Sequence, residues 1–404
     1  MRILVFNTGS SSIKFSVFES DAETGLTDPR STIDGELSGI GSENTTLRVR
    51  AQDERLTSAR SEVSAKSIDE AIGQVFATVY EAQILAIEAV GYRVVHPGPK
   101  LNDHQRVTPE LLVELEEAIA FAPLHNPQAL AVIRAGLARF PDIPHFACFD
   151  TIFHRTMPEE ATTFALPAEY RERGVRRYGF HGLSCESIVS QMQSQNGNVP
   201  KRLVIAHLGS GCSVTALVDG QSVDTTMGLT PTGGVVMGTR PGDLDPGLIL
   251  YLLRAHESYN KDAVSDLESM LNHNSGMVAL SSLSNDMRAV RKAAADGDVR
   301  AQLAAKVFTR SVTKAIGGYC WLMGGVDAIV FTGGIGEHDA ETRREVLGDL
   351  RGIGISIDAS LNQTGASGMR QINSSESVTS VFVIPAQEDR MIAVHVDRMA
   401  RANS

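Results

Sequence analysis

Asn7, Gly9, Ser10, Ser11, Ser12 and Lys14 fall together in the order Asn-x-Gly-Ser-Ser-Ser-x-Lys. Folded as one tight turn, they bring backbone N–H groups, hydroxyls and an ammonium to a single point, which suits the oxygens of a polyphosphate. A polar hairpin turn with an exposed lysine has the same composition, so this turn alone leaves both readings open. A second donor-rich turn, His-Leu-Gly-Ser-Gly-Cys-Ser, occupies residues 207–213, and a glycine-rich stretch, Gly-Gly-Ile-Gly-Glu, occupies residues 333–337. Three such segments in one chain make phosphate chemistry the better account.

Each turn is set between apolar runs that read as strands. Residues 3–6 are apolar, and residues 13–18 resume with alternation after the serines; residues 203–206 and 214–218 repeat the arrangement around the second turn. The repeat spacing is about half the chain, too long for a solenoid, and implies two similar domains facing one another across a cleft. Helical patterns fill the intervals. Ser67 and Glu70 form a capping box ahead of Ile68, Ile72, Val75, Phe76 and Val79. Thr108-Pro109 opens a helix over residues 111–121 that should stop before Pro123, and residues 128–140 and 300–321 read as further helices. Residues 143–149 read as a buried strand ending at Asp150, and residues 328–331 as a strand that breaks on the third glycine-rich stretch. Residues 360–380 are polar and serine-rich and read as a loop with weak strands; residues 381–385 and 388–400 read as a strand and a terminal helix that packs back onto the first domain. The class is mixed α/β.

A chain of 404 residues exceeds what one core usually organises. Hydrophobic residues at 42% and charged residues at 21% describe a soluble globular protein. The net charge of -11 disfavours a nucleic-acid partner, because a phosphate backbone calls for clustered Lys and Arg. Cys148, Cys185, Cys212 and Cys320 lie far apart, without the spacing of a zinc site or a disulfide framework, which fits a reducing compartment. The first residues run straight into a strand pattern, and no apolar run approaches transmembrane length, so the cytoplasm is the expected location and no membrane partner is expected.

With these segments in place, the sequence resembles the acetate kinase family, within the larger group of kinases and ATPases that share the actin and hexokinase core. The carriers are NTGSSSIK at residues 7–14, GYRVVH at 91–96, PLHNP at 123–127, FDT at 149–151, RRYGFHG at 176–182, MGTR at 237–240 and GIGE at 334–337. They cover nearly the whole chain, in the family's order. The resemblance implies an α/β fold of two duplicated actin-like (ribonuclease H-like) domains, residues 1–150 plus about 385–404 and residues 151–384, with a central active-site cleft. It implies a kinase that moves the γ-phosphoryl group of ATP reversibly onto the carboxylate of acetate, with magnesium or manganese as cofactor, and a homodimer.

The resemblance also assigns residues. Arg93, Arg240 and His181 would contact the substrate carboxylate and the transferring group, where arginine's planar fork engages carboxylate or phosphate in two places. Asp150 would be the catalytic aspartate. A small carboxylic acid is already ionised at neutral pH, so the expected task of Asp150 is to orient Arg93, Arg240 or a magnesium-bound water. Glu388 and Asn7 resemble the metal-site residues. Lys14, His207, Leu208, Gly209, Ser210 and Gly211 would meet the phosphates, Asp286, Met287 and Arg288 the purine and ribose, and Gly334, Ile335, Gly336, Glu337 and His338 the base. Val95, Leu124, Phe180 and Pro231 would form a small apolar pocket around a methyl group.

Several positions depart from the family's usual pattern. His96-Pro97-Gly98-Pro99, Ser210-Gly211-Cys212, Thr232-Gly233-Gly234, Cys185, Gly333, Gln387 and Arg390 replace other residues there. They bear on the choice of acid and of phosphoryl donor. Two rival readings follow: a propionate or butyrate kinase of the same family, and a catalytically weak nucleotide-binding sensor.

Overall fold

A computed structural model of the chain describes residues 1–9, 12–21, 26–41, 45–51, 59–81, 86–255, 261–348, 350–365 and 367–402. It divides into two compact units, Met1–Ile152 with Gln387–Ser404, and Phe153–Ala386.

The first unit carries a sheet of eight strands among the described residues: β1 (Arg2–Thr8), β2 (Ser12–Asp21), β3 (Leu26–Ser38), β4 (Thr45–Ala51), β5 (Ala59–Val63), β6 (Ala89–Val94), β7 (Gln105–Arg106) and β8 (His145–Phe149). Their order is β5-β4-β3-β2-β1-β6-β8-β7. The β1–β2 pair is antiparallel, with Thr8 opposite Ile13, whereas β1, β6 and β8 run parallel. Parallel neighbours covered on both faces need apolar side chains at successive positions, and residues 3–6 of β1 and all of β8 are accordingly buried. Strands β3 to β5 form an antiparallel extension that the sequence reading leaves unassigned.

The terminal helix Glu388–Ala402 lies on this same sheet and buries Met391, Ile392, Ala393 and Val396. Each such large apolar side chain contributes about 1.5–3 kcal/mol when fully buried. Gly91 in β6 allows the close approach: a Cβ there would sit 2.7 Å from methyl groups of both Ile392 and Val396. The helix Pro109–Glu117 starts as the Thr108-Pro109 pair demands, with the Thr108 hydroxyl accepting from Leu111 N at 3.2 Å, and it tightens to a 3₁₀ turn over Ala118–Phe121. The capping box also forms, with Ser67 Oγ accepting from Glu70 N at 3.2 Å and Glu70 accepting from Lys66 N at 2.8 Å.

The second unit repeats the central pattern. Its strands are β9 (Arg202–Leu208), β10 (Cys212–Val218), β11 (Gln221–Thr225), β12 (Ala328–Thr332), β13 (Arg370–Gln371) and β14 (Ser380–Val383), in the order β11-β10-β9-β12-β14-β13. Here β9–β10 is the antiparallel pair, and β9, β12 and β14 are parallel. The duplication is thus one of topology, strand for strand from β3-β2-β1-β6-β8 to β11-β10-β9-β12-β14. The turns differ by one residue: Thr8 pairs with Ile13 in the first unit, and Leu208 with Cys212 in the second. The long helix Val299–Leu322, capped by Asp298, packs on β9 and β10. Within the serine-rich tail, Ala359–Gln363 is a short helix rather than a loop, capped by Asp358. Among the described residues no helix is long and apolar enough to cross a membrane.

Candidate active site

Strand register assembles one cluster in the first unit. Phe6 of β1 pairs with Tyr92 of β6, so Asn7 and Arg93 are neighbours at the carboxyl ends of these strands. Arg93 pairs with Cys148 of β8, and Asp150, two residues on, returns to the same face. The carboxyl edge of parallel strands is where α/β sheets place ligands. Asp150 Oδ2 accepts from Arg93 Nε at 3.1 Å and from Nη2 in a shorter contact, and the Asp150 side chain is almost completely buried. Arg93 Nη1 also donates to Asn7 Oδ1 at 3.2 Å. Burial works against the Arg93 charge, but Asp150, Glu388 and Asp389 more than offset it and hold its pKa above the ordinary arginine value.

The terminal helix delivers the acidic side of the cluster. The Asn7 amide donates to Glu388 Oε2 at 3.1 Å and to Asp389 Oδ1 at 2.8 Å, and Ser16 Oγ donates to Asp389 Oδ2 at 3.1 Å. Desolvation raises the Asp389 carboxyl above its usual range, against the pull of Asn7, Lys14 and Ser16. The cluster therefore offers Glu388 and Asp389 carboxylates and an amide oxygen, the hard donors that magnesium selects, and the residues fit that ion. Glu388 remains partly exposed, with 16% of its side chain accessible, whereas Asp389 is tied to Asn7 and Ser16. Asp389 was not among the residues the sequence singled out; its adjacency to Glu388 was the available signal. Lys14 is exposed on β2, and Ser10 and Ser11 lie outside the described residues. Val95 is buried and Leu124 half-buried beyond the Arg93 strand, where Asn126 braces the loop by donating to His96 O at 2.8 Å and accepting from His96 N at 3.3 Å.

The second unit gathers His181, His207, Gly211 and Arg240. His181 has left-handed backbone, φ 59° and ψ 28°, and begins the helix Gly182–Asn196. Buried His154 secures this turn, its Nε2 lying 2.9 Å from Phe180 O and its Nδ1 2.9 Å from Ser222 Oγ. The His181 ring stacks on His207 with centroids 4.1 Å apart, and its Nδ1 lies 3.0 Å from Ser213 Oγ. A Cβ added at Gly211 would stand 3.3 Å from His181 Nε2 and 3.6 Å from Arg240 Nη1, which places both side chains against the second turn. Arg240 is further held by a 3.0 Å bond from Nη1 to Pro231 O. Phe180 is buried and Pro231 half-buried beside them. Cys212, in the same turn, is a buried thiol whose pKa burial pushes up to about 12.

Next to the turn lies a cavity of about 670 Å³, lined by Gly209, Ser210, Asp286, Met287, Arg288, Gly334, Ile335 and His338, and also by Asn285, Arg291 and Asp339, which the sequence did not single out. Asp286 caps the helix Met287–Ala295 and pairs with Arg288. Leu208 and Gly336 are buried beneath the lining. Glu337 turns inward, where its Oε1 accepts from Gly333 N at 2.9 Å and Ala386 N at 3.1 Å, so its carboxylate braces the glycine-rich helix instead of facing the cavity.

The acetokinase family model matches residues 2–394. An acetate kinase of Halothermothrix orenii is 38% identical over 412 residues, covering 100% of both chains. Among solved structures, a propionate kinase from Francisella tularensis superposes with a TM-score of 0.88 at 35% identity, covering 98% of this chain and 99% of that one. The acetate kinase of Porphyromonas gingivalis gives 0.85 at 32% identity, covering 99% of each chain. Since motif order, sheet topology and full-length similarity all agree, the chain belongs to the acetokinase family.

Proposed function

We propose that the chain is a carboxylate kinase that transfers the γ-phosphoryl group of ATP reversibly to acetate, giving acetyl phosphate and ADP. The observation that carries this reading is the buried Asp150 carboxylate gripping Arg93 beside Asn7 and Glu388, in a chain of this family. Acetate, with a pKa near the carboxyl value of about 4.3, arrives ionised and gives up no proton. Its oxygen forms the new bond to phosphorus while the bond to the β-phosphate oxygen breaks, and ADP keeps that electron pair. Charge spreads over the equatorial oxygens, so the protein's work is positioning and charge stabilisation.

In this reading Arg93, His181 and Arg240 act on the same migrating group, and Asp150 fixes the Arg93 fork. Glu388 and Asn7 hold magnesium, which when bound neutralises phosphate charge. Asp286, Met287, Arg288, Gly334, Ile335 and His338 receive the nucleoside. Val95, Leu124, Phe180 and Pro231 enclose the methyl group. A hydroxamate assay with acetate, ATP and magnesium tests the reaction. Acyl phosphate that requires all three is the expected result; nucleotide binding without acyl phosphate at high enzyme concentration would favour the sensor reading.

The likeness to a propionate kinase supports a second reading, in which propionate is the better acid. One methylene changes binding by only about 1–3 kcal/mol, so both acids should react and the ratio of kcat/KM across chain lengths decides. We also propose a cytoplasmic homodimer. The apolar helix Pro246–Ala255 buries none of its residues, and Leu250 and Tyr251 are 51% and 65% exposed, which supports a partner copy. Light scattering that gave the single-chain mass at micromolar concentration would remove the dimer.

A further inference from the structure

Arg291 lies on the helix Met287–Ala295, one turn beyond Asp286 and Arg288, and its side chain is 19% exposed at the wall of the 670 Å³ cavity. Its guanidinium donates four hydrogen bonds to the opposite wall. Nε donates to Asp339 Oδ2 at 3.1 Å, Nη1 to Glu345 Oε1 at 2.9 Å, and Nη2 to Glu345 Oε2 and Thr342 Oγ1, each at 2.9 Å. All three acceptors belong to the segment that follows the glycine-rich helix Gly333–His338: Asp339 caps the helix Ala340–Leu347, which carries Thr342 and Glu345.

That acceptor helix is itself locked to the glycine-rich wall. Arg343, 1% exposed, points away from Arg291's partners and donates to Gly336 O at 2.7 Å, to Asn362 Oδ1 at 2.8 Å and to Asn362 O at 2.7 Å. A shift of the helix Ala340–Leu347 therefore moves Gly336, and any shift of Arg291 moves Asp286 and Arg288 with it. Bidentate carboxylate pairing fixes direction as well as distance, so this link is stiff. The Arg291 charge is held up by Glu345 and Asp339 against the burial that opposes it.

We propose that Arg291 is a positioning residue for the nucleotide: through Asp339, Thr342 and Glu345 it clamps the wall that bears Asp286 to the wall that bears Gly334, Ile335 and His338. The clamp rests on the reading of this cavity as the nucleotide site. It touches no reacting atom, so its loss acts on nucleotide binding and leaves the acid and the chemical step alone.

The test compares Arg291→Met, Glu345→Gln and the exchanged pair Arg291→Glu with Glu345→Arg, alongside melting temperatures. Nucleotide KM, and the Kd for ADP by calorimetry, should rise roughly tenfold in each single variant, with kcat and the acid KM within about twofold. The exchanged pair should recover part of that loss. Unchanged nucleotide affinity in folded single variants, or a parallel fall of kcat, acid affinity and stability, would overturn the clamp. Should Arg291→Met fail to fold, Glu345→Gln carries the same comparison, because it keeps the size of the side chain. Absence of acyl phosphate from the unmodified protein would refute the proposed reaction, whereas ADP calorimetry would still decide the clamp.

Discussion

Asp150 binds Arg93 through a single carboxylate oxygen, Oδ2, which accepts from both Nε and Nη2 of the guanidinium. The pair is buried on the Asp150 side and leaves 15% of the Arg93 side chain accessible. Removing one partner of such a pair leaves an uncompensated charge, at a cost of about 3–5 kcal/mol. Asp150→Asn should therefore lower kcat at least a hundredfold and raise the acid KM, with a reduced melting temperature. Full activity in this variant, with ordinary magnesium dependence, would remove Asp150 from the mechanism.

Gly91 sets how closely the terminal helix approaches β6. In Gly91→Ala the new methyl group would overlap Ile392 and Val396, whose Cγ2 atoms stand 2.7 Å from the added Cβ. Overpacking of this kind costs about 1–3 kcal/mol. Because the same helix carries Glu388, the variant should also need more magnesium for half-maximal rate. A denaturant titration and a magnesium titration check the two effects separately.

His154 is buried against Phe180 O and Ser222, and desolvation lowers its pKa from 6.5 to about 4. It is neutral in the folded protein at pH 7, and the unfolded chain takes up its proton first as pH falls. Its contribution, at most about 3 kcal/mol, is therefore fully present above pH 6.5 and is lost between about pH 6.5 and pH 4. Urea unfolding across that window should show a gap between the parent and His154→Gln that narrows with acidity. A gap constant with pH would mean that His154 does not titrate in this way.

None of the four cysteines is in a disulfide, and all four are buried. Burial raises the thiol pKa of both Cys212 and Cys320, and only the thiolate is a good nucleophile. A colorimetric thiol reagent at pH 8 should find almost no fast-reacting group in the native protein and four in denaturant. Rapid modification of Cys212 with loss of nucleotide binding would contradict the closed geometry of the second turn.

Much of the architecture was legible because it is written in local periodicity. Residues 3–6 and 203–206 read as strands, and Thr108-Pro109 and Ser67 with Glu70 read as helix starts, since alternation, caps and proline act within a few residues. The extension β3 to β5 escaped because its strands mix buried, half-buried and exposed positions, and Pro29 and Gly35 interrupt the pattern; neighbouring strands supply what the local sequence lacks.

The chain's own residues determined the chemistry on offer: two donor-rich turns, arginines set in GYRVVH and MGTR, and an acidic pair opening the last helix. Which of them meet was decided by register and packing. Asn7 reaches Asp389 across 382 positions and Arg291 reaches Glu345 across 54, while Glu337, so similar in sequence to a ligand contact, is drawn inward by two backbone amides. Hydrogen bonds of that kind depend on distances in space, and a linear pattern carries no record of them until the sheet and its helices have closed.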